Sequence, residues 1–517
     1  MSSPFRRALP ERPDLDQQKK LAKELLRAFH AGDANAIARV RTELPDKSPI
    51  SLTDAQFVLA REYGFRSWRD LRDHIDRQIA AQRPPIERFK RAVQDGDAEA
   101  TRALLSRHAD VRAAINAPIF SFDSPALVAV SDRHVDVIDV LLEFGADPNR
   151  KSNWWAGGFH PLYGARGVAA EHLIAAGAVP DACAAANLDR LDLLEAMLAA
   201  DPARVHERGG DGKTPLHFAR SRAVVDLLLS SGAEVDARDI DHRSTAAEWM
   251  IGENPTGLDV ARYLVERGAT ADIFLAAALG LTDRARTMLA SDPSLLRLRT
   301  SQGDYAEKPP SSYHIYQWTI GPNYTPLQVA AKFGQRETLR AMETFASPEQ
   351  RLLLACHEGD RDAASAMVTT HPGIVERLTP PDSQALANEA WAANAPAVEL
   401  MLQLGFDPAV PSGQRLTGGN ALHCAAYEGS VDCVSAILSR PAGRRLVTVR
   451  DGTYQGDPLG WCRHGSLGCG NPRADHAAVA RLLIDAGAPL DPAMAEVDGS
   501  DAFQAVIAET LAERERA

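Results

Sequence analysis

Thr214-Pro215-Leu216-His217-Phe218-Ala219 is the stretch whose reading decides the fold. A Thr hydroxyl accepts from the free amides of a first helical turn. Pro at the first helical position loses no hydrogen bond and brings its backbone dihedral preset. Leu216 then points to a core, His217 can reach a neighbouring connection, and the small Ala219 lets a second helix approach. The same order returns in worn form. Thr325-Pro326-Leu327-Gln328-Val329-Ala330 has Gln for His, Asn420-Ala421-Leu422-His423 lacks Thr and Pro, and Ser244-Thr245-Ala246-Ala247 keeps still less.

Working outward, the ends of the helices repeat too. Leu141 to Pro148, His172 to Ala178, Leu227 to Ala233, Tyr263 to Ala269 and Leu482 to Ala488 each place a Gly after an apolar run. A left-handed C-cap needs it there. Other helices end at Ala330 to Gly334, Ala355 to Gly359, Ala390 to Asn394 and Ala425 to Gly429. Helix pairs are therefore predicted near 86–110, 123–146, 159–178, 182–206, 213–233, 244–269, 272–296, 325–346, 349–375, 384–405, 419–440 and 457–488. The expected fold class is all-α. About twelve degenerate helix-pair units over 84–490 would form a solenoid, with a helical cap region over 1–83 and a capping helix in 491–517.

The Thr214–Ala219 motif and the spacing of its weaker copies resemble the ankyrin-repeat family, whose units recur about every 33 residues. The resemblance covers roughly residues 86 to 490. Asp54 to Trp68 is similar to the region found ahead of many bacterial ankyrin-repeat proteins. The resemblance implies protein–protein recognition through hairpin loops and inner helices, and it implies no catalytic residues. Because ankyrin surfaces differ from repeat to repeat, no binding specificity carries over.

Bulk properties agree with a folded, non-membrane chain of 517 residues, 45% hydrophobic and 24% charged. Its net charge is −12. The first 83 residues hold 16 Lys+Arg and 12 Asp+Glu, and the remainder holds 41 and 57, so the acidity lies in the array. Such an array repels nucleic acid and anionic membrane and favours a partner with a basic patch. Six Cys are sparse for this length and suit a reducing cytoplasm. Met1 to Lys20 has no apolar signal-peptide core, and no apolar run approaches the length of a membrane span. Arg outnumbers Lys 48 to 9, which points to a GC-rich bacterial genome.

Chemical motifs are weak. No phosphate loop, dinucleotide fingerprint or nucleophile elbow is present. Cys462, His464, Cys469 and His476 fit no zinc-knuckle spacing. His423 beside Cys424, and His357 beside Glu358, diverge by about 100° on a helix and cannot pair directly. Arg66, Arg69 and Arg72 would face phosphates in a helix-turn-helix, but Asp70, Asp73 and Asp76 dilute them, so a cap is the preferred reading. Phe65 and Trp68 are expected to bury against the first array helices. The rings of His217 and His423 are expected to bond to neighbouring loops. No catalytic residue, metal ligand or cofactor site is assigned.

Aromatic residues in long connections are the sharpest functional signal. Trp154, Trp155, Tyr313, Tyr316, Trp318 and Tyr324, with His160 and His314, lie between helix pairs where hairpins project. Trp391, Tyr427 and Trp461 lie late in first helices or near their ends, where an inner groove would run; His464 is a further contact candidate, and His314, His160 and His464 are the polar candidates for a pocket. Tyr and Trp give large contact area at low entropy cost. The expected function is a monomeric, non-catalytic scaffold that binds a protein or peptide. The alternative is an enzyme or small-molecule binder whose pocket is closed by the loops around Trp154 and Trp318. A partly apolar pocket of roughly 300–1,000 Å³ with converging His and carboxylate groups would favour the alternative. Solvent-facing aromatics would favour the scaffold.

Overall fold

The computed structural model describes residues 4–10, 15–48, 50–82, 84–130, 134–252, 256–300, 314–412, 418–490 and 499–516. It is all-helical, 61% helix, and contains no strand among the described residues. No helix among them is long and apolar enough to cross a membrane. The chain divides into two compact units, one of residues 84–347 and one of residues 1–83 with 348–517.

In the 84–347 unit, Pro85–Asp95 and Ala98–Arg107 form the first helix pair. Gly96 takes a left-handed conformation (φ 74°) between them, and Asp97 caps the second helix by accepting from the Ala100 amide. Second helices then pack side by side. Ala98–Arg107 meets Val135–Glu143, which meets Gly167–Ala175. Leu191–Ala200, Arg222–Ser230 and Thr256–Glu266 follow the same rule, as do Thr282–Ser291 and Arg336–Glu343. The Gly after each predicted second helix, at 145, 177, 232 and 268, sits at φ between 90° and 107°, as the left-handed cap requires.

First elements of this unit are uneven. Ile273–Leu279 is buried along its whole length and packs on Pro326–Lys332, whose N-cap Thr325 and third-position Gln328 form a capping box. By contrast, the Thr214 motif does not open an α-helix. Pro215–Phe218 is a four-residue 3-10 turn, and Pro161–Tyr163 is one of three residues. The reason is local. Ser221 already caps Arg222–Ser230, so only Ala219 and Arg220 separate the two elements, and no room remains for a full turn more.

In the other unit, Ala385–Trp391, Ala421–Tyr427 and Pro458–Gly465 stack as one layer. Ala395–Gln403, Val431–Leu438 and His476–Asp485 stack as the second. One continuous core of Leu386, Val398, Leu422, Val434, Leu459 and Val479 runs between the layers. Asp501–Arg516 packs on His476–Asp485 and also on Leu52–Glu62.

The four helices within residues 15–82 have their own small cores. Leu25, Leu26, Val40, Ile50 and Val58 form one. Phe65 and Trp68 pack on Ala60, Leu71 and Ile75 of the same segment, which corrects the expectation that they bury against the first array helices. A buried Glu62 ties the segment together, accepting from Arg7 Nη2 at 2.7 Å and Arg39 Nε at 2.7 Å. The arginines weighed as a phosphate-facing row each meet a carboxylate of the Trp68–Gln82 helix: Arg66, just before it, faces Asp70, and Arg69 and Arg72 face Asp73.

Candidate recognition surface

The last turns of successive first helices place Trp391, Tyr427 and His464 in a row. Trp391 and Tyr427 stack nearly parallel, with ring centroids 5.1 Å apart at 10°. Tyr427 lies 6.0 Å from the exposed His464 ring. Trp461 stands edge-on behind them, 6.2 Å from both Trp391 and Tyr427, and is itself buried. Tyr454 extends the row from the preceding connection, 6.3 Å from Trp461 and 64% exposed. Such pairs contribute about 0.5–1.5 kcal/mol beyond their buried area. The rings already touch one another without a partner, which lowers the ordering cost of binding.

Two carboxylates each clamp a connection to the Trp of the helix that follows it. Asp451 accepts from the amides of Thr453, Tyr454 and Gly456 and from Trp461 Nε1 at 2.9 Å. Asp239 does the same in the other unit, accepting from the His242 and Arg243 amides and from Trp249 Nε1 at 2.5 Å. Burial pushes both carboxyls up. At Asp451 the backbone donors and the indole outweigh burial and leave the group below its usual range. At Asp239 burial prevails and the group is raised. Sequence reasoning missed both clamps and passed over Trp249. The signal was present: each Asp precedes its Trp by ten residues, with the helix N-cap (Thr245 or Asp457) between.

Histidines of the motif knit one unit to the next. His217 Nδ1 accepts from the Thr214 amide at 3.1 Å, so the proton is on Nε2, which lies 3.0 Å from the Ser244 carbonyl. Burial pushes this ring down to about 3. His423 Nε2 lies 3.1 Å from the Gly456 carbonyl. His357 pairs not with its neighbour Glu358 but with the buried Glu389, 32 residues on, at 2.9 Å; Asn394 donates to the other Glu389 oxygen. Residues weighed as a metal set are dispersed among backbone partners. Cys462 Sγ reaches the His476 carbonyl, Cys469 Sγ the Glu428 carbonyl, and His476 Nε2 the Tyr427 carbonyl.

Elsewhere the predicted residues part company. Trp155 and Trp318 face solvent, 68% and 70% exposed. Trp154 is half-buried and edge-on to Phe122 at 5.1 Å. Tyr316 is wholly buried: its hydroxyl donates to Asp272 at 2.8 Å and its ring meets Phe274. A partner cannot touch it. His314 bonds Gln317 and tilts against His242, and Tyr324 lies under Lys332 Nζ at 4.5 Å. Tyr313 lies outside the described residues.

His160 is buried and lines a recess of about 370 Å³ with Leu127, Ile138, Phe159, Tyr163 and Phe218. Lys213 closes one side, 3.3 Å from Asp211 and 4.0 Å from the Trp249 ring. Tyr163 donates to Asp181 at 2.6 Å, and burial together with that carboxylate keeps the phenol protonated. The volume falls in the range set above for the small-molecule alternative, but no carboxylate stands among the described lining residues, so the converging His and carboxylate groups of a catalytic pocket are not assembled there.

With this geometry in place, comparison with known proteins adds one positive finding. The family model for the ankyrin repeat matches residues 211–240, the segment that holds Thr214–Ala219 and the His217 bridge. The chain carries an ankyrin repeat there. No curated protein matches the chain.

Proposed function

We propose that this protein is a non-catalytic recognition scaffold. In this reading the helix pairs over 84–490 are degenerate ankyrin units, about twelve in number, with 1–83 and 491–517 as caps. A protein or peptide docks on the first-helix face and the projecting connections. The partner carries a basic patch that answers the array's acidity, and the scaffold works as a monomer in the cytoplasm. Ankyrin repeats generally mediate protein–protein contact, and the repeat at 211–240 gives the general reading its footing.

One observation carries the choice of surface: the Trp391–Tyr427–His464 row with the exposed Tyr454. It combines aromatic anchors with solvent access, and interface hot spots favour aromatic anchors of this kind.

A random-peptide library on phage, selected against the full chain, tests it. The expected outcome is enrichment of peptides rich in Lys and Arg. Their affinity should fall at least about tenfold in Tyr454→Ala and in Trp391→Ala, and should hold in Trp155→Ala. Enriched peptides indifferent to both row substitutions would refute the proposed surface.

A further inference from the structure

We propose that the recess beside His160 binds a neutral, mainly apolar small molecule through one carbonyl oxygen. The walls are Leu127, Val128, Val130, Ile138 and Leu173, with the rings of Phe159, Tyr163 and Phe218. At about 370 Å³ the volume stands at the small end of ligand pockets, roughly 300–1,000 Å³.

His160 supplies the polar contact. The residue is only 4% exposed. Leu162 N–H donates to Nδ1 at 3.0 Å, so the neutral ring carries its proton on Nε2. Nε2 meets no acceptor among the described residues. The atom is not sealed from solvent, so an incoming carbonyl oxygen takes the place of water on this donor. Burial pushes the ring down to about 4, so it remains a neutral donor at every physiological pH.

Charge decides between a carbonyl and a carboxylate. The two nearby ammonium groups are already matched: Lys213 faces Asp211, and Lys151 faces Asp181 at 2.7 Å. An anionic ligand would find both cations already paired, in a chain of net charge −12. A ketone, ester or amide oxygen meets no such penalty.

The wall is also built, not slack. A Cβ on Gly210 would lie 2.4 Å from the Phe159 ring, and one on Gly157 would lie 2.3 Å from the Gly209 carbonyl. The 151–161 connection is thus pressed onto residues 209–212, and Phe159 is fixed.

Three probes with one body test the idea on the full chain by titration calorimetry: 4-phenylbutanamide, 4-phenylbutanoate and butylbenzene. The amide should bind about tenfold tighter than the other two. His160→Asn keeps an acceptor for Leu162 N–H but removes the Nε2 donor, and should erase the amide's advantage over butylbenzene. Gly164→Phe is a second, independent variant. Its Cβ meets nothing within 4 Å and its φ is −105°, so the fold tolerates it, while the ring covers the recess and should abolish amide binding. No heat with the amide at millimolar concentration overturns the proposal. So does an unchanged preference in His160→Asn, or undiminished amide binding in Gly164→Phe.

Discussion

The 84–347 unit and the stacked helices of 385–485 solve the same packing problem differently. In the second, three first helices of seven or eight residues lie side by side, and their terminal aromatics meet as a row. In the first, two of the corresponding elements have shrunk to the 3-10 turns Pro161–Tyr163 and Pro215–Phe218. Volume that a full helix would fill is left open, and Tyr163 and Phe218, 4.9 Å apart, border it. The longer first helices carry the aromatic row, and the trimmed elements border the recess beside His160.

The comparison can be broken or sharpened by substitution, and the largest effect is expected at His217. His217→Ala removes the hydrogen bonds of a buried ring to Thr214 and Ser244 and should cost roughly 3–5 kcal/mol. Hydrogen exchange read by mass spectrometry should show the loss over 211–245 and leave 385–485 unchanged. Spread of the effect into the second region would end the separation drawn here.

Asp451→Ala strips one acceptor from four donors and should cost roughly 2–3 kcal/mol, measured by urea unfolding. Asp239→Asn should cost less, because burial already raises that carboxyl toward its neutral form. Equal losses would mean the two clamps do not differ.

Glu428 sharpens the picture through pH. Burial raises its carboxyl from 4.5 to about 7. The folded chain therefore holds a proton that the unfolded chain has lost, and stability declines as pH climbs from about 4.5 to 7, then levels. Glu428→Gln should remove this decline and stabilise the chain by about 1–2 kcal/mol at pH 8. A wild-type unfolding midpoint that rises over that window would contradict it. The smallest effect is expected at Trp318, whose exposed ring should make Trp318→Ala neutral within about 0.5 kcal/mol.

Much of the helical plan was legible because it is local. Caps at Thr325 and Ser67, and the glycines at 145, 177, 232 and 268, are decided within four residues. What stayed hidden lies one repeat away. His357 finds Glu389, and Tyr316 finds Asp272; both partners depend on the register between units, which no single turn encodes. The Thr214 motif misled in one respect. It signals the start of a helix but does not say how long the helix can run before Ser221 claims the next one. Of the candidate row, Trp391 and Tyr427 were visible from their common place at helix ends and His464 only as a polar candidate, whereas Tyr454 was invisible because its position is fixed by Asp451.

The aspartate clamps close within eleven residues and take all their donors from the segment they precede. Each bend is thus set by its own aspartate, while its carbonyl at Ser244 or Gly456 meets a histidine of the preceding helix pair. An engineer who transplants Asp451 to Trp461 into another array should carry His423 with it.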